Sequence, residues 1–141
     1  MNQEQMNRIR VCFDALTPRT PELADRFHTR LFARHPPLRA LFPRDLSQAK
    51  QDFAAGLRLI VKNLHQLDNV RGTLMDIGAK QSKLNVTPGH YGIAREVLLS
   101  TIREMSGPVW SDELAQDWTE AINSVVSLMV LGAGKARMQA A

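Results

Sequence analysis

The stretch from Asp68 to Tyr91, DNVRGTLMDIGAKQSKLNVTPGHY, constrains this chain more than any other. Val70, Leu74, Ile77, Gln81 and Leu84 recur at the spacing of one helical face. Four of these five are aliphatic, and Gln81 puts an amide where the pattern asks for a buried side chain. An unpaired buried amide costs roughly 1–3 kcal/mol, so Gln81 needs a partner inside the fold. Thr87-Pro88 ends this helix and opens the next, because proline cannot continue a helix but suits its first turn.

The remaining apolar periods are helical as well. Met6, Ile9, Phe13 and Leu16 share one side of a segment from about Gln3 to Leu16. Thr20-Pro21-Glu22 sets cap, proline and acid in order, and Leu23, Phe27 and Leu31 then face inward until His35-Pro36-Pro37. A short turn, Leu38 to Phe42, and the loop Pro43-Arg44-Asp45 lead to a long helix. Ser47 is its expected cap, with Phe53, Leu57, Ile60, Val61 and Leu64 inside. The helix from Pro88 to about Met105 buries Ile93, Val97, Leu98 and Ile102 and breaks at Gly107-Pro108. Ser111-Asp112-Glu113 caps the last helix, which buries Leu114, Trp118, Ile122, Val125 and Met129 and is expected to fray after Gly132 and Gly134. No stretch alternates as a strand does. The expectation is an all-α domain of six or seven helices.

Composition narrows the function classes. Its 141 residues suit one domain, 1–141, and 44% hydrophobic against 23% charged residues excludes a disordered chain. A net charge of +4 does not by itself argue for nucleic acid, and no recognised nucleic-acid motif is present. The longest apolar run, Val125 to Ala133, is too short to span a membrane. With no basic-then-apolar leader and a single cysteine, Cys12, the expected location is a reducing cytoplasm.

Three pieces of the chain resemble the globin family, in its bacterial single-domain and flavohaemoglobin-like branch. RFHTRLFARHPPLRALFPRDL (residues 26–46) resembles that branch's second helix and its turn into a haem-roofing phenylalanine, here Phe42. DIGAKQSKLNVTPGHYGIAREVLL (residues 76–99) resembles the iron-binding helix running into the next one, and Trp118 the aromatic of the final helix. The resemblance implies a globin fold of six to eight helices, three over three, and haem b as cofactor. No reductase segment follows, so activity that needs a built-in electron donor is not expected.

In that register the proximal histidine is replaced by Gln81, whose amide oxygen is a weak, hard ligand for iron. The distal tyrosine is replaced by His28, and the distal polar residue by Ala49. Phe53 takes a smaller aliphatic position, the supporting carboxylate becomes Ala133, and Tyr91 is retained. The resemblance implies Phe42, Ala49, Phe53, Leu57, Gln81, Val86 and Tyr91 as the pocket. His28 is the candidate axial ligand, binding from the face opposite to the usual one, and Gln81 a weaker one. The bland alternatives are a His28 bonded to a backbone carbonyl and a Gln81 satisfied by Tyr91. His90, in the helix-start turn, is structural in the family.

Arg26, Arg30 and Arg34 make a stripe on the second helix, read first as a solvated face and second as a dock for an acidic protein. Arg39 and Arg44 could reach haem propionates. Two functions follow. One is a globin that binds haem at an altered axial site and takes or senses O2, NO or CO; the other is a haem-free regulatory or interaction module on the same fold. An enzyme comes last, because the proximal histidine and carboxylate are both gone. A homodimer through the small-residue tail from Gly132 stays open.

Overall fold

Asn2 starts the first helix, α1 (Gln3–Leu16), with a reciprocal cap: its side chain accepts from the Gln5 N–H, and the Gln5 side chain accepts from the Asn2 N–H. The computed structural model describes residues 1–140. After α1 come α2 (Thr20–Arg34), α3 (Ser47–Lys62), α4 (Arg71–Lys83), α5 (Pro88–Ser106) and α6 (Asp112–Ala140), joined by short 3-10 turns at every junction but that of α4 and α5. No strand occurs among the described residues. No helix among them is long and apolar enough to cross a membrane.

The main core lies where α1, α3, α5 and α6 meet. Ile9, Phe13, Leu23, Leu57, Ile102 and Trp118 fill it, the Leu23 side chain reaching in from α2. A buried carboxylate at its edge, Asp117, is matched by Arg8, which donates from Nε at 2.6 Å and from Nη2 at 3.1 Å. A second cluster joins α2, the Pro36–Leu41 turn and α5 through Phe27, Leu31, Leu38 and Val97. A third seats α4 on α6 through Val70, Leu74 and Val125. Helix α4 packs on α6 far more than on any other element and scarcely touches α3.

Several local expectations give way to specific contacts. Ser47 does not cap α3; its own N–H donates to the Asp45 side chain at 2.9 Å, so the aspartate two residues earlier does the work, and that bond holds its carboxyl below the usual carboxylate range. Thr20 does not cap α2 either, because its hydroxyl donates back to the Thr17 carbonyl at 2.7 Å. Helix α6 continues through Gly132 and Gly134 to Ala140, since Gly132 lies against the α4 backbone and is held by that contact. Leu84, expected on the buried face, is 59% exposed because α4 has ended one residue earlier.

The arginine stripe is occupied within the fold. Arg26 and Arg30 share Glu104 of α5, and Arg34 pairs with Glu96. These exposed pairs stitch α2 to α5 and each contributes little alone.

Candidate functional site

His28 follows Phe27 on α2, and that single step takes it into the aromatic cluster. Its ring is buried and lies 5.1 Å from Phe27, 5.6 Å from Phe53 and 5.9 Å from Phe42, all edge-on, with Phe32 at 6.2 Å. Phe27 and Phe53 stack at 4.5 Å, nearly parallel. The turn carrying Phe42 is held by Arg39, which donates to the carbonyls of Pro43 and Arg44 at 2.9 Å each and to that of Phe42 at 3.4 Å. Its guanidinium also lies over the Phe32 ring. Arg39 is therefore a brace for the turn, and not the free propionate contact its position in the sequence allowed.

The hydrogen bonding of His28 fixes its chemistry. Nδ1 lies 2.8 Å from the Ala24 carbonyl oxygen, which can only accept, so Nδ1 carries the proton and Nε2 holds a lone pair. Burial pushes the imidazole below its ordinary pKa; the Ala24 bond opposes this and the nearby Lys50 charge adds to it. The ring is neutral at neutral pH. His28 Nε2 makes no hydrogen bond among the described residues and is not fully sealed. A lone pair of this kind binds a metal or accepts a proton. It cannot donate to a bound gas.

Gln81 sits on the other half of the site, half-buried. Its side-chain oxygen accepts from the Tyr91 hydroxyl, the partner the sequence called for. Its backbone carbonyl accepts from the N–H groups of Leu84 and Val86, both at 3.0 Å, and Asn85 between them takes a left-handed φ of 70°. With the Asn85 N–H on the Ser82 carbonyl, this closes α4 in a Schellman turn. Val86 is thereby tied to Gln81 through the backbone. Burial pushes the Tyr91 phenol above its usual range, which keeps it protonated as a donor.

The next turn belongs to Thr87 and His90. The His90 Nδ1 accepts from the Thr87 N–H at 3.0 Å and the Thr87 hydroxyl accepts from the His90 N–H at 3.4 Å, a reciprocal cap that starts α5 just before Tyr91. His90 is structural, as the resemblance implied.

The proposed pocket residues thus fall into two groups. His28, Phe42 and Phe53 meet in the aromatic half; Gln81, Val86 and Tyr91 meet in the polar half. Among the described residues no hydrogen bond or aromatic contact joins the halves. Ala49 is half-buried at the start of α3, while Leu57 lies in the main core. Ala133 is buried and offers no polar support to the α4 side. Sequence reasoning missed the brace made by Arg39 and the close approach of Gly78 and Gly132 across α4 and α6. The two glycines were visible, but only a packing partner reveals what they admit.

Comparison with known proteins bears on the family and the fold. The family model described as Globin matches residues 25–129. A flavohemoprotein of Rhizobium meliloti is 27% identical over 106 residues, covering 73% of this chain and 26% of that protein. One of Vibrio cholerae is 26% identical over 124 residues, covering 86% of this chain and 32% of its own length. The chain therefore spans about a quarter to a third of the curated relatives it matches. Among solved structures, a bacterial globin from Campylobacter jejuni superposes with a TM-score of 0.84 at 20% identity, covering 95% of this chain and 97% of that one. An engineered carbene transferase from Rhodothermus marinus gives 0.88 at 20% identity, covering 98% and 96%. The all-α, three-over-three expectation holds.

Proposed function

We propose that this chain, which belongs to the globin family, is one domain over residues 1–141 that binds haem b with His28 as the iron ligand, to take or sense a diatomic gas. The observation that carries this reading is the His28 imidazole: neutral, oriented by the Ala24 carbonyl, with its Nε2 lone pair unpartnered and ringed by phenylalanines. Ligating histidines characteristically donate their other ring N–H to a carbonyl or carboxylate, and His28 already does.

The residues fit such a group on the α2 side. Phe42 and Phe53 supply apolar ring surface beside His28 for a porphyrin, and Arg39 holds the turn that carries Phe42. They do not offer the usual bond from α4, because the Gln81 oxygen accepts from Tyr91 and an amide is a weak ligand. Haem held here supplies an iron centre with a position for O2, NO or CO. Gln81 and Tyr91 are the polar side chains that the α4–α5 side would offer to a bound gas. Binding is favoured over turnover, since nothing on the α4 side supplies the basic support a proximal histidine receives. An acidic partner at Arg26, Arg30 and Arg34 would have to displace Glu104 and Glu96, and a homodimer and a cytoplasmic location complete the proposal.

One observation favours the haem-free module instead. The Phe27–Phe53 stack and the Tyr91–Gln81 bond satisfy both halves of the site with no ligand. Titration with hemin, then reduction and carbon monoxide, separates the two. A sharp Soret band saturating at one haem per chain and shifting with carbon monoxide supports the haem reading. A helical protein with no specific band supports the module and ends the haem reading.

A further inference from the structure

Helices α4 and α6 approach more closely than side chains on both would permit. A Cβ placed on Gly78 would lie 1.9 Å from the Met129 carbonyl oxygen, and one on Gly132 would lie 2.0 Å from the Met75 carbonyl oxygen. The contact is reciprocal: each helix sets a glycine against the other's backbone, three residues from the methionine its partner meets. Gly72 on α4 and Gly134 on α6 meet nothing within 4 Å, so the close approach belongs to this one crossing. Backbone cannot swing aside as a side-chain tip does. A methyl group at Gly78 would have to lift α4 from α6 by about 1.5 Å to restore ordinary van der Waals spacing.

Gln81 lies one turn beyond Gly78, so wherever the crossing sets α4 it also sets the amide. The amide oxygen meets the Tyr91 hydroxyl on α5, and α4 scarcely touches α3 across the site. We propose that Gly78 and Gly132 are positioning residues of the site: they seat α4 on α6 at the height that presents Gln81 to Tyr91. The assignment rests on the pocket reading only in making this wall the one that faces a bound ligand.

Tyr91 is the only tyrosine of the chain, so its phenolate absorbance titration and the signal of carbon-13-labelled tyrosine each report this one contact in protein without haem. Gly78→Ala and Gly132→Ala are expected to move both signals, while Gly72→Ala and Gly134→Ala leave them at the wild-type position. Wild-type signals in folded Gly78→Ala and Gly132→Ala would overturn the assignment. If neither clasp variant folds, Gln81→Asn serves: a held α4 cannot advance to let the shorter amide reach Tyr91, so its tyrosine signal should match that of Gln81→Leu. A wild-type signal in Gln81→Asn would mean that α4 follows its side chain, and the assignment fails. A protein that takes no hemin would overturn the proposed function and leave this test intact.

Discussion

The Tyr91 hydroxyl donates to the side-chain oxygen of Gln81, so the one amide on the inner face of α4 is satisfied by the first residue of α5 to point inward after the helix-start turn. The pair closes on itself: the donor and the acceptor satisfy each other within the fold.

The pair should behave as a coupled unit. Gln81→Leu leaves the Tyr91 hydroxyl without a partner and should cost about 1 kcal/mol, and Tyr91→Phe about as much. The double variant, which removes both polar groups, should cost clearly less than the sum. Urea unfolding of the four proteins measures this, and strictly additive losses would mean that the bond does not form in solution.

His28 should make stability depend on pH. Its folded pKa lies below its ordinary value, so between the two the unfolded chain binds more protons, and stability rises with pH there. It should therefore fall as the solution is acidified below about pH 6.5. His28→Phe, which keeps an aromatic ring among aromatic neighbours, should flatten that slope in urea unfolding. An unchanged slope would assign the proton uptake to another group.

Asn85 holds the Schellman turn in a left-handed conformation. Asn85→Gly should be nearly neutral, whereas Asn85→Val should cost about 1–2 kcal/mol because a branched side chain meets the carbonyl there. Thermal unfolding separates the two; equal melting temperatures would show that the turn is not fixed in solution.

Asp117 is 1% exposed and bound by two nitrogens of Arg8. Arg8→Met should destabilise by clearly more than an exposed ion pair contributes, since it leaves the buried Asp117 carboxylate without its counter-charge. A loss below about 1 kcal/mol in denaturant unfolding would place this pair among ordinary surface contacts.

Much of the fold was legible in the sequence because its signals are local. Thr87 and Ser111 cap helices through neighbours within a few residues, and the prolines at 21, 36, 37, 88 and 108 stand at helix boundaries. The site was legible in part. Gln81 announced itself by breaking an apolar pattern, and Tyr91 lay ten residues away at the start of the next helix. What stayed hidden depends on tertiary packing. Gly132 looks like a helix breaker until the Met75 backbone is laid against it, and Arg30 looks like a free cation until Glu104 arrives from α5. His28 could be placed near aromatic residues, but its proton position follows only from the distance to Ala24.

The most direct measurement is a hemin titration of the wild-type protein beside His28→Ala and His90→Ala, followed by visible absorbance. With His28 as the iron ligand, the wild type and His90→Ala should give the same sharp Soret band at one haem per chain, and His28→Ala should lose it or shift it strongly. An identical band in His28→Ala would contradict ligation from α2.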